Sequence, residues 1–136
     1  MRILMIDNDV VFSEPIIWRL EREKHDVTFV RSVEETRNVI NNTFDIVILD
    51  IMMPRGPYTK AESDFGKRTG MLLLKEIELR HPQLPVVILT VIPKEELQPE
   101  VDKHKSVKAF LEKPVTPSEI LTAIEKITIQ TEEDKV

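Results

Sequence analysis

Four short apolar runs, each ending on a residue suited to phosphoryl chemistry, constrain this chain more than any other feature. Ile3-Leu4-Met5-Ile6 leads into Asp7-Asn8-Asp9, and Ile46-Val47-Ile48-Leu49 leads into Asp50. Val86-Val87-Ile88-Leu89 ends at Thr90, and Ala109-Phe110-Leu111-Glu112 ends at Lys113-Pro114. Uninterrupted apolar runs of this length fit strands buried on both faces, the pattern of a parallel sheet. Ligands of open parallel sheets bind beyond the carboxyl ends of the strands. Residues far apart in sequence would therefore converge on one pocket that holds carboxylates, a hydroxyl and an ammonium. Carboxylates can hold Mg²⁺, and a hydroxyl and a lysine can hold phosphate oxygens.

Helical patterns separate the runs. Phe12, Ile16, Ile17 and Leu20 recur at helical spacing up to about residue 24, with Pro15 expected in the first turn. Ser32 and Glu35 form a capping-box pattern that opens a helix through Val39 and Ile40. Residues 71–80 predict another helix, and Pro117-Ser118 opens a last one with Ile120, Leu121, Ile124 and Ile127 on one face. Residues 93–105 are polar and carry Pro93 and Pro99, which predicts a short or broken helix. Strands at Asp26–Val30 and Val107–Glu112 complete a series of βα units. Such a series implies a doubly wound parallel α/β sheet with helices on both faces.

At 136 residues the chain fits one domain, expected over residues 1–128, with 129–136 as a polar tail or linker stub. A formal charge of −5 argues against direct nucleic-acid binding. The absence of cysteine excludes disulfides and thiolate chemistry. No apolar run approaches the ~20 residues of a membrane span, and the amino terminus lacks a signal-peptide pattern. The expectation is an acidic cytoplasmic domain without a membrane partner. His25, His81 and His104 lack metal-ligand spacing and are expected near helix ends without a catalytic role. Trp18 falls on the polar side of the first helix, where it is either half-buried or an anchor for a partner.

One segment breaks the rhythm. Residues 55–69 show no helical or strand period, and their charges (Arg55, Lys60, Lys67, Arg68 against Glu62 and Asp64) sum to +4 − 2 = +2. Beside the pocket such a loop could serve as a lid, a phosphate clamp or a docking arm. The alternative is a solvated, disordered insertion.

In order, spacing and placement at strand ends, the acidic cluster, Asp50 with Met53-Pro54, Thr90 and Lys113-Pro114 resemble the receiver domain of two-component response regulators. The resemblance covers residues 1–128 and implies a flavodoxin-like five-stranded sheet of order 2-1-3-4-5. It implies that Asp50 is the phosphoacceptor, served by a histidine kinase or a histidine phosphotransfer protein. Mg²⁺ would be held by Asp7, Asn8, Asp50 and the backbone carbonyl of Met52. Lys113 would pair with Asp50 and then with a phosphoryl oxygen. Thr90 would donate its hydroxyl to another oxygen, Phe110 would change rotamer with it, and the Lys113–Pro114 bond would be cis. Such a domain is a phosphorylation-controlled switch rather than an enzyme, although it assists its own phosphoryl transfer and dephosphorylation. It would act on a downstream effector protein or domain. The signalling face would comprise the fourth helix, fifth strand and fifth helix, near Leu97, Val101, Phe110 and Ile120, and a homodimer would form through the same face.

Three departures from the family pattern stand out. Asn8 occupies the place of the second acid, Val91 follows Thr90 where a small residue is usual, and 55–69 replaces a short step. Asn8 and Val91 leave room for a second reading, a pseudo-receiver that binds partners without phosphorylation. A third reading takes Asp7-Asn8-Asp9-Val10-Val11 as the opening of a haloacid-dehalogenase-type phosphatase. There Asp7 would be the nucleophile and Asp9 the general acid/base, followed by Thr90 and Lys113. The short chain, the lack of an acidic pair after Lys113 and the unexplained Asp50-x-x-Met53-Pro54 count against it. Asp7 and Asp9 also suit a plainer role as caps of the first helix.

An asparagine oxygen coordinates a hard cation but brings no charge. Asn8→Asp should therefore tighten Mg²⁺ binding in a calorimetric titration, and an unchanged affinity would count against a metal role for this position.

Overall fold

The computed structural model describes residues 1–134. Its strands are β1 (Arg2–Ile6), β2 (Asp26–Val30), β3 (Ile46–Leu49), β4 (Val86–Thr90) and β5 (Val107–Glu112). Its helices are α1 (Val10–Arg22), α2 (Val33–Val39), α3 (Lys60–Ser63), α4 (Thr69–Arg80), α5 (Lys94–Val101) and α6 (Pro117–Asp134). All strand pairs are parallel, in the order β2-β1-β3-β4-β5. That is the doubly wound, flavodoxin-like topology the sequence implies.

Each central strand is buried on both faces because its alternate residues feed two cores. Leu4, Ile6, Val47, Leu49, Val86 and Ile88 face the helices α2, α4 and α5. Ile3, Met5, Ile46, Ile48, Val87 and Leu89 face α1 and α6. Unbroken apolar runs are therefore required, since a polar residue at any of these positions would be buried without a partner.

Capping follows the sequence closely. Ser32 accepts from the Glu35 N–H at 3.1 Å, while the Glu35 carboxylate takes the Arg31 N–H at 3.1 Å. Asp9 caps α1 by accepting from the Phe12 N–H at 3.0 Å. The α1 helix thus begins at Val10, which puts Pro15 in its second turn rather than the expected first. There it forfeits an i→i−4 bond. Trp18 is 62% exposed, beyond half-burial, with the Arg22 guanidinium 5.2 Å from its ring. The α5 helix is short and contains Pro99, as expected. The α6 helix runs on to Asp134, so residues 129–134 of the expected polar tail or linker stub are helical, while 135–136 lie outside the described residues. Polar residues can extend a helix that is already anchored, because propagation costs far less than nucleation.

The largest correction concerns residues 55–69, which are ordered. Thr59 and Glu62 form a reciprocal capping box that opens α3, and Ser63 is fully buried. Asp64 and Phe65 are both left-handed, at φ 49 and 56, and Gly66 lies at φ 92, so the chain turns sharply back. Tyr58 donates to Glu76, which also takes a two-pronged contact from Arg37 at 3.0 and 3.1 Å. A local capping box and turns, together with the contact of Tyr58 with Glu76 of α4, replace the apolar periodicity that would have marked the segment in sequence.

The insertion ends against the sheet. At Gly70 the α4 backbone passes so close to β3 that a Cβ would lie 2.3 Å from the Asp50 carbonyl oxygen and 2.5 Å from the Ile51 Cα. Gly70→Ala must push α4 off the end of β3, which should cost about 1–3 kcal/mol or more. Urea unfolding measures the loss, and wild-type stability in the variant would mean that the close approach is dispensable.

Candidate functional site

β1, β3, β4 and β5 deliver their terminal residues to one edge of the sheet. Asp7 follows β1, its N–H bonded to the Val30 carbonyl at 3.1 Å. Asp50 follows β3, its N–H bonded to the Ile6 carbonyl at 2.9 Å. Lys113 follows β5, its N–H bonded to the Thr90 carbonyl at 2.8 Å. Ladder hydrogen bonds thus continue one residue past the strands and fix the backbone of the site.

The Lys113 ammonium lies 2.8 Å from Asp7 Oδ2 and donates to Asp50 Oδ2 at 3.2 Å. All three side chains are buried, and the Phe12 ring packs against the ammonium with its centroid 4.5 Å away. Burial and the neighbouring Asp7 charge push the Asp50 carboxyl up to about 6, against the opposing pull of Lys113 and Thr90. Burial also works against the Lys113 charge, but Asp7 and Asp50 outweigh it and hold its pKa above the ordinary lysine value. Asp50 Oδ1 is buried with no aligned hydrogen-bond partner. A buried carboxylate oxygen in that condition is unusual and suits a cation or a bond-forming role.

Thr90 is fully buried, and its Oγ1 accepts weakly from the Ile92 N–H at 3.4 Å, leaving its own O–H to donate. Phe110 is half-buried in β5 against the core that contains α5. Asn8 is exposed and lines an open cleft of about 680 Å³ together with Asp50, Met52, Val91 and Lys113. The Lys113–Pro114 peptide bond is cis. Asp9 caps α1, as the plain reading expects, while Asp7 accepts the Asp9 N–H on Oδ1 at 2.9 Å and meets Lys113 with Oδ2.

The residues that could hold Mg²⁺ are two carboxylates (Asp7, Asp50), an amide oxygen (Asn8) and a backbone carbonyl (Met52). Hard oxygen donors of this kind fit Mg²⁺, and the buried Asp50 Oδ1, which has no aligned hydrogen bond, would give a bound ion an anionic contact. The set is light in charge: among the described residues no three His, Asp or Glu side chains gather as metal ligands.

The sequence did not single out three residues that shape this site. Gly70 admits α4 against the acceptor strand, and a lone glycine within a helical pattern was its only signal. Phe65, 75% exposed and left-handed, stands at the rim of the cleft. Arg31, at the end of β2, also lines it.

The family model described as the response regulator receiver domain matches residues 3–125, and the chain belongs to that family. It is thus a receiver domain of the two-component type, a signalling switch rather than a conventional enzyme. The transcriptional regulatory protein CpxR of Escherichia coli K12 is 26% identical over 126 residues, covering 93% of this chain and 48% of that protein. The chain therefore spans about half the length of such curated relatives. Among solved structures, a response regulator receiver domain protein from Clostridium thermocellum is 27% identical, with a TM-score of 0.76 and 96% of each chain covered. A CheY-like receiver domain protein from Methanospirillum hungatei JF-1 has a TM-score of 0.80 at 23% identity, covering 98% of this chain and 97% of that one. No helix among the described residues is long and apolar enough to cross a membrane.

The raised Asp50 pKa has a stability consequence with a definite sign. Its folded value of about 6 lies above the ordinary 3.8, so the protonated acid favours folding below about pH 4, and that contribution is lost as pH rises through about 6. Asp50→Asn escapes the loss. In EDTA it should be more stable than wild type above pH 6 by up to about 3 kcal/mol, roughly two pKa units at about 1.4 each. Urea unfolding across pH 4 to 8 checks this; a stability difference that does not grow with pH would refute it.

Proposed function

We propose that this domain is a phosphorylation-controlled switch in which Asp50 accepts a phosphoryl group from a phosphohistidine. The donor is a histidine kinase or a histidine phosphotransfer protein. The observation that carries this reading is the state of the Asp50 carboxylate at the floor of an open cleft. One oxygen is held by Lys113, and the other is buried without an aligned hydrogen bond. An Asp50 oxygen attacks phosphorus, a P–O bond forms as the P–N bond breaks, and the leaving imidazole nitrogen takes the electron pair. Little covalent work is required of the protein; positioning and charge stabilisation do the rest.

Lys113 stabilises the carboxylate form of Asp50 and then an oxygen of the acyl phosphate. Thr90 donates its hydroxyl to another oxygen, and Phe110 follows that movement in β5. Asp7, Asn8, Asp50 and the Met52 carbonyl would hold Mg²⁺, which when bound supplies charge neutralisation for the phosphoryl oxygens. The readout runs through α5, β5 and α6 to a downstream effector, with homodimerisation through the same face as one form of it. A short α5 with Pro99 inside is a low-stability element suited to moving.

Incubation with a small phosphodonor or with beryllofluoride and Mg²⁺, followed by mapping of the modified side chain, tests this directly. Asp50 should be modified, and Asp50→Asn should abolish the modification. Modification at Asp7 would support phosphatase-type chemistry instead. A lack of any modification would identify a pseudo-receiver.

A further inference from the structure

Four strand ends have assigned tasks in the acceptor pocket; the remaining one carries Arg31, which has none. Arg31 directly follows β2, and the Val30 carbonyl before it receives the Asp7 N–H at 3.1 Å. That bond sets Arg31 beside Asp7 and Asn8, and its side chain lines the same cleft as Asn8, Asp50 and Lys113. Every other arginine among the described residues engages a carboxylate, an amide or carbonyl oxygen, or an aromatic ring. The Arg31 guanidinium makes no such contact there, and only its backbone N–H is used, on Glu35. An arginine left unpaired at the mouth of an anion site is a cation held in reserve.

Charge balance gives it a task. Asp7, Asp9 and Asp50 against Lys113 sum to −3 + 1 = −2, and Asn8 adds nothing. Turning the Asp50 carboxylate into an acyl phosphate makes the pocket more negative still. Lys113 cannot meet that demand alone, because it is buried and already shared between two carboxylates. A guanidinium has the fork geometry to engage two phosphoryl oxygens at once, and it keeps its charge throughout.

We propose that Arg31 is a second anion-holding residue of the acceptor site, engaging the phosphoryl oxygens and, through the same charge, opposing the metal before phosphorylation. The anion half of the proposal rests on Asp50 being the acceptor; the metal half does not. Arg31 therefore shifts part of the charge compensation from Mg²⁺ to protein, which suits a pocket whose metal ligands include Asn8 in place of an acid.

Two calorimetric titrations on the whole chain test this, one with Mg²⁺ alone and one with beryllofluoride at saturating Mg²⁺. Arg31→Ala should weaken beryllofluoride binding roughly tenfold or more and tighten Mg²⁺ binding roughly three- to tenfold. Arg31→Lys, which keeps the charge but not the fork, should retain the wild-type Mg²⁺ affinity and recover only part of the beryllofluoride affinity. If either affinity is unchanged in Arg31→Ala, the proposal is overturned while the acceptor reading stands. If the wild-type chain itself takes no beryllofluoride, the acceptor reading falls and carries the anion half of the Arg31 proposal with it, while the Mg²⁺ titration still decides the metal half. Arg31 is exposed, and its side chain makes no hydrogen bond, ion pair or ring contact among the described residues, so the thermal midpoint of both variants should match wild type.

Discussion

A single ammonium holds the functional edge of this domain together. Lys113 stands between Asp7 and Asp50, buried with them, and brings the ends of β1, β3 and β5 into one electrostatic unit. Two carboxylates this close and this dry would repel each other and resist ionisation. The lysine lets both remain near one another, though not without cost, since Asp50 is still pushed up to about 6. The site is thus held in a state of partial compensation. An incoming cation on the free Asp50 oxygen, or a phosphoryl group on it, changes the balance that Lys113 maintains.

The backbone around that unit is over-determined. Ladder bonds extend one residue beyond the strands, and on the far side α4 is pressed onto Asp50 and Ile51 through Gly70. The ordered insertion strengthens this from the loop side. The Gly66 carbonyl receives the Met53 N–H at 3.2 Å, and Thr69 Oγ1 donates to the Met53 carbonyl at 2.8 Å. Arg68, at the end of the same insertion, reaches Glu100 of α5 at 3.5 Å. The insertion therefore touches both the loop that follows the acceptor and the helix expected to move. Both contacts come from local turns and caps rather than from a hydrophobic stripe.

Much of this was legible in the residues. Four of the five strands and the placement of Asp50, Thr90 and Lys113 at their ends followed from apolar runs with polar ends, because a run of that kind leaves a clear pattern. Ser32 with Glu35 marked α2 for the same reason: a cap is a local interaction between near neighbours. Residues 55–69 were illegible because their order comes from a capping box, left-handed turns and a tyrosine contact distant in sequence. Pro15 falls a turn later than expected because Asp9, one of the two cap candidates, starts the helix at Val10. Arg31 went unremarked because it ends the one strand without a clean apolar run, where Asp26, Thr28 and intermediate burial blur the signal.

The sequence by itself determined the architecture, the family resemblance and the chemistry available at four strand ends. Those depend on residue types and periodicity, which are local. Only the tertiary structure decided that Lys113 is shared between Asp7 and Asp50, that Asp9 caps a helix while lining the cleft, and that Asp50 Oδ1 is buried without an aligned hydrogen bond. It also ordered the insertion and brought Arg31 to the mouth of the cleft. Each of these is a distance between residues far apart in the chain, and such distances exist only once the sheet has closed its strand order around the site.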